Sequence, residues 1–121
     1  LNKLNNYFSF LNSSFEDVVA HDGIGTIQTA RVADKGIYSG LNFIDLTVIP
    51  PGSTIGTHTH GRHDEEVYVV ISGHGRMTTG TEEFSVNSGD VIVNPAGGTH
   101  GLRNIGDEPV RIVVLDVRAS K

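Results

Sequence analysis

The sequence predicts an all-β fold, and three observations predict it. Valine, isoleucine and threonine together number 34, against 12 for leucine and alanine, and β-branched side chains favour the pleated, half-buried surface of a strand. Glycine and proline punctuate the chain at short intervals, as at Gly23 and Gly25, Gly36 and Gly40, Pro50-Pro51-Gly52, Gly73 and Gly75, Ser88-Gly89, and Pro95 to Gly98. The segments between them have the length of single strands, and such regular spacing gives a sandwich or barrel rather than alternating βα units. At 121 residues the chain fits one domain.

The first dozen residues mix Asn with Leu, Tyr and Phe in no clear period and read as an arm that packs on the barrel or on a neighbour. Ser13 and Glu16 then have capping-box spacing, Val18 and Val19 follow, and Gly23 can end a turn, which predicts one short helix. Residues 1–24 are thus the arm and short helix, and residues 25–121 the single barrel domain. Within the barrel, strands are expected at 25–32, 41–49, 56–60, 65–72, 75–79, 82–86, 91–94, 101–104 and 110–118. The second of these carries Asp45 amid apolar residues, and the alternation there leaves open which face is inside.

Composition excludes several function classes. Nine Lys and Arg stand against 14 Asp and Glu, net −5, with no basic cluster to neutralise a phosphate backbone, so nucleic acid is not expected as a partner. No apolar run approaches the ~20 residues of a membrane-spanning helix; the longest are 67–71 and 112–115. Residues 1–10 are too polar for a signal-peptide core, so a cytoplasmic location is the default expectation. Cysteine is absent, so any metal must be held by nitrogen and oxygen.

Six histidines are present, His21, His58, His60, His63, His74 and His100. Residues two apart on a strand point to one face, so His58 and His60 can present two imidazoles to one point. A carboxylate follows the turn 61–64, in Glu65 or Glu66, and His100 lies beyond Pro95-Ala-Gly-Gly at the start of another expected strand. Three imidazoles and a carboxylate suit a divalent first-row metal and leave coordination positions for water or substrate.

With these residues the sequence resembles the cupin superfamily, small jelly-roll barrels that carry a metal site inside. The family's first motif, G-x5-H-x-H-x3–4-E-x6-G, is matched by Gly52, His58, His60, Glu66 and Gly73 apart from one spacing, and its second, G-x5-P-x-G-x2-H-x3-N, in full by Gly89, Pro95, Gly97, His100 and Asn104. The resemblance implies a double-stranded β-helix with His58, His60, Glu66 and His100 as ligands of one divalent transition metal, whether Mn, Fe, Zn, Ni, Co or Cu. One departure is the five residues between His60 and Glu66; Glu65 restores the spacing of four but breaks the spacing to Gly73. Apolarity alone would turn the Glu65 face inward, with Val67, Val69 and Ile71. We take Glu66 as the ligand, because the glycine turn fixes the register and a loop absorbs an extra residue. Val67, Val69 and Ile71 then form an outward apolar row that a homodimer or the N-terminal arm must cover.

Tyr68 shares the face of Glu66 and is a candidate proton carrier, against plain core packing. Asn104 is expected to tie a loop, His63 and Asp64 to be solvated turn residues, and Arg62, Arg76 and Arg103 to lie at the surface. His74 follows a turn glycine and His21 closes the short helix, and neither needs a functional role. The resemblance implies a metal-dependent enzyme on a small organic substrate, of dioxygenase, isomerase, decarboxylase or lyase type. The alternative is a non-catalytic barrel that binds a small molecule or a metal for sensing or storage. Sugar-phosphate isomerisation is disfavoured, because the few cations form no phosphate cradle.

Overall fold

The computed structural model describes residues 6–34 and 40–119. Among these residues ten strands form, β1 (Glu16–Val18), β2 (Ile27–Asp34), β3 (Leu41–Ile49), β4 (Thr54–Thr59), β5 (Asp64–Ser72), β6 (His74–Thr79), β7 (Glu82–Asn87), β8 (Val91–Asn94), β9 (Thr99–Asn104) and β10 (Val110–Arg118). They pair antiparallel into a six-stranded sheet in the order β1-β2-β3-β10-β5-β8 and a four-stranded sheet in the order β4-β9-β6-β7. This is the expected all-β jelly roll. Among the described residues no helix is long and apolar enough to cross a membrane.

The short helix expected after Ser13 is replaced by β1 and a single 3₁₀ turn at Ala20–Asp22. Ser13 does not cap a helix; its hydroxyl donates to the Ser9 carbonyl at 2.6 Å. The segment Glu16–Val18 instead pairs with β2, Glu16 opposite Thr29 and Val18 opposite Ile27, which satisfies its backbone and suits its β-branched end. His21 and Asp22 have φ of 52° and 56°, outside the right-handed helical region. Residues 16–22 are therefore built onto the barrel.

The two sheets enclose a core of Ile27, Ile49, Ile55, Tyr68, Val70, Met77, Val86, Ile92, Leu102, Val110, Ile112 and Val114. Each fully buried aliphatic side chain contributes about 1.5–3 kcal/mol. The inward face of each long strand changes character along its length. On β10 it runs Val110, Ile112, Val114, Asp116; on β5 it runs Val70, Tyr68, Glu66; on β3 it runs Ile49, Thr47, Asp45. These strands lie side by side in register, with Val114 opposite both Asp45 and Tyr68, and Asp116 opposite Glu66. One end of the barrel is packed hydrocarbon and the other is lined with polar side chains.

Candidate metal centre

At the polar end the two sheets contribute side chains to one point. His58 lies on β4 and His100 on β9, directly opposite each other in register. The pairing of β4 with β9 shifts between Ile55 and His58, where one strand advances three residues and the other two. Such a bulge reverses the inside–outside alternation, so Ile55 and His58 both face inward. His60 follows the strand, where its backbone N–H donates to the Gly98 carbonyl at 3.0 Å. Glu66 enters from β5 in the other sheet, 6% exposed, whereas Glu65 beside it is on the outer side. The extra residue between His60 and Glu66 is taken up in the turn at Gly61, Arg62 and His63, and the Gly61 carbonyl accepts from Gly97 N–H at 3.0 Å.

His58, His60, Glu66 and His100 each offer one ligand atom within 4.8 Å of all the others. The Nε2 atoms of His58 and His60 are 3.2 Å apart, and Glu66 Oε1 lies 3.0 Å from His60 Nε2 and 3.2 Å from His100 Nε2. Two of the three far nitrogens are held: His58 Nδ1–H donates to the Gly56 carbonyl at 2.8 Å, and His60 Nδ1–H donates to Asp64 Oδ2 at 2.8 Å, while His100 Nδ1 is buried with no partner among the described residues. A carbonyl can only accept, so Nδ1 of His58 carries the proton and its Nε2 lone pair faces the cluster. Converging lone pairs repel unless a cation or a proton lies between them, and outer-shell partners of this kind orient metal-binding imidazoles. The donor set therefore fits a divalent ion.

Two of the imidazoles are shifted toward the metal-binding form, and the other two donors toward the protonated one. Burial lowers His58 and His100 to about 4, so both are neutral donors at pH 7. For His60 burial acts downward, but the hydrogen bond to Asp64 and the charge of Glu66 outweigh it and hold the ring above its ordinary value. Burial raises Glu66. Asp116, 2% exposed, is pushed up to about 7, first by burial and then by the neighbouring Asp64 and Glu66 carboxylates, against the hydrogen bond that Asn42 Nδ2 donates at 2.9 Å.

A cavity of about 250 Å³ adjoins the centre, lined by His21, Arg31, Asp45, His58, Glu66 and Tyr68 among others. Tyr68 is 1% exposed, its ring edge-on to His100 at 5.5 Å, and burial foremost raises its hydroxyl well above the ordinary value. Asp45 faces inward, which answers the question its alternation left open, and it accepts two hydrogen bonds from Arg31 at 2.8 and 2.9 Å. Arg31 also lies 3.8 Å over the Phe43 ring. Sequence reasoning missed Arg31, since its strand parity was not read, and it missed Asp116, whose apolar neighbours on β10 disguise an inward carboxylate. It also left His21 without a role, although the ring stacks on His58 at 3.5 Å and 9°. Asp64, expected as a solvated turn residue, holds His60.

The other expectations sort as follows. Asn104 donates to the Ile49 and Glu108 carbonyls and accepts from Gly106 N–H, all at 2.8 Å, and so ties a loop. Arg76 reaches Glu83 at 3.2 Å on the surface, Arg62 and Arg103 are exposed, His63 is exposed, and His74 pairs with Asn87 at 2.8 Å.

Comparison with known proteins identifies the class. The family model described as the Cupin domain matches residues 45–117, and the chain belongs to the cupin family. An uncharacterized protein of Methanocaldococcus jannaschii is 36% identical over 78 residues, which are 64% of this chain and 62% of that relative, so the match spans less than two-thirds of its length. An oxalate-binding protein of Thermotoga maritima is 23% identical over 77% of each chain. A crystal structure from Thermotoga maritima, described as a predicted oxalate decarboxylase, superposes with a TM-score of 0.86 at 20% identity, covering 92% of this chain and 97% of that one.

Proposed function

We propose that the chain holds one divalent transition metal through His58, His60, Glu66 and His100 and acts as a metal-dependent enzyme on a small organic substrate. The observation that carries this reading is the convergence of three imidazole nitrogens and one carboxylate on a single point beside a cavity. A divalent ion bound there would supply Lewis acidity to a substrate oxygen. The chain's own groups do the rest. Asp64 fixes His60, Arg31 with Asp45 sets a polar rim at the cavity mouth, and Tyr68 keeps its proton and can donate it from the cavity wall. The chemistry falls among decarboxylation, isomerisation, lyase and dioxygenase reactions; the relative named for oxalate binding favours a small carboxylate substrate.

The alternative is a barrel that binds a metabolite without turnover. Buried carboxylates with raised proton affinity next to the centre favour the enzyme, because perturbed acids cluster where protons are moved. We also propose a homodimer, because Val67, Val69 and Ile71 do face outward, with Ile71 45% exposed and Val91 and Val93 beside them.

Elemental analysis of protein purified without an affinity tag tests the centre. Native protein and Glu65→Gln should each carry about one equivalent of metal, while His58→Ala, His100→Ala and Glu66→Gln should lose it and forfeit the thermal stabilisation that metal gives. Unchanged metal content in the histidine variants sinks the assignment, and loss in Glu65→Gln alone of the two glutamates puts the register off by one.

A further inference from the structure

Four imidazoles gather at the polar end of the barrel, and the proposed centre uses three. The fourth, His21, is held there by a segment whose conformation L side chains avoid: His21 has φ 52° and ψ 46°, and Asp22 follows with φ 56°. Two adjacent left-handed residues persist only where their surroundings over-determine them, and such strain collects at functional sites. The surroundings here are specific. A Cβ on Gly56 would collide with the His21 carbonyl oxygen, and one on Gly23 would stand 2.5 Å from Thr54 Oγ1. Ile24 N–H donates to Thr54 Oγ1 at 2.7 Å, and Thr54 N–H donates to the Ile24 carbonyl at 2.9 Å. The turn is clamped to β4 beside the bulge that aims His58.

The result is a ring lying flat on His58, 3.5 Å between centroids, at the wall of the cavity that Glu66 and Tyr68 also line. Support for His58 does not explain it, because the Gly56 carbonyl already fixes that ring through Nδ1. Neither nitrogen of His21 has a hydrogen-bond partner among the described residues, and the side chain is exposed enough to meet an incoming molecule. Three imidazoles and one carboxylate around a divalent ion leave the ion's charge incompletely balanced by its donors, while Arg31 at the cavity wall is matched by Asp45. An ion so held takes an anionic oxygen donor in an open position, and a cavity of about 250 Å³ suits a small one.

We propose that His21 is a ligand-contacting residue, whose imidazole edge hydrogen-bonds a small carboxylate anion held at His58, His60, Glu66 and His100. The inference rests on the reading of those four residues as a metal centre. Acetate titrated into cobalt(II)-loaded protein, followed by visible absorption of the cobalt, tests it. His21→Phe keeps a flat ring on His58 but has no N–H; it should take up one equivalent of cobalt and bind acetate about tenfold more weakly. His21→Gln, which keeps a donor, should recover most of the affinity. Equal acetate affinity in native protein and His21→Phe overturns the proposal while leaving the metal centre standing, as does the absence of any acetate response in the native protein. Loss of cobalt from both variants makes His21 a support for His58 and overturns it too. A native protein that takes up no cobalt overturns the metal centre itself, and this proposal with it.

Discussion

Asp116 packs a carboxyl group against Asp64 and Glu66 with 2% of its surface exposed, and one of its oxygens, Oδ2, accepts no hydrogen bond from the described residues. Burial and its acidic neighbours move its titration from 3.8 to about 7. Between those values the folded protein keeps a proton that the unfolded chain releases. The stability this residue contributes is therefore fully present below about pH 4 and is lost as the pH rises through 7. Asp116→Asn removes that loss and keeps an oxygen for Asn42. In metal-free protein, the melting temperature of the variant relative to native should become more favourable by a few degrees from pH 5 to pH 8. A difference that stays flat or runs the other way refutes the assignment. At this scale the gathering of His58, His60 and His100 was legible in spacing, two residues apart on one strand and after a proline–glycine turn, whereas Glu66 rather than Glu65 rested on the family motif and its glycine turn. Asp116, Arg31 and His21 were not, since each owes its place to a partner distant in sequence: Glu66, Asp45 and His58.

Among the elements, the turn glycines differ in what they tolerate. Gly73 closes β5 at φ 94°, and a Cβ there would meet the Pro109 carbonyl at 2.6 Å and Val110 Cα at 2.7 Å. Gly89 has nearly the same φ, 92°, but open space around it. Gly89→Ala therefore costs only the left-handed conformation, about 1–2 kcal/mol, whereas Gly73→Ala adds backbone collisions of about 1–3 kcal/mol. Urea unfolding midpoints should separate the two, with Gly73→Ala clearly the lower; equal midpoints would show that the β5 turn yields. The strands after Gly40 were legible nearly to the residue because glycine and proline bracket them. β1 was not, because Ser13 and Glu16 mimic a helix start and only pairing with β2 decides otherwise. The bulge in β4 was equally hidden, since Gly56 gives no sign of which side gains a residue until β9 lies beside it.

For the whole molecule, the outer face of the six-stranded sheet is the open question of assembly. Val93 is 61% exposed and Val91 59%, and they lie across from Val67 and Val69 on β8, an edge strand. Exposed apolar edges invite pairing. Light scattering should give native protein twice the 13.0 kDa chain mass and Val93→Lys the single mass; a native monomer refutes the homodimer. In the N-terminal arm, the other cover expected for this face, Phe10 stacks on Phe15 with 6.1 Å between ring centroids.

The proposed donors do not belong to one sheet. His58 and His100 hang from the four-stranded sheet and Glu66 from the six-stranded one, 34 residues before His100 along the chain. Pairing of β4 with β9 gathers the three imidazoles within one layer, and the carboxylate joins them only when the second layer closes over the first. A change in metal affinity during a refolding experiment would thus time the closing of the sandwich.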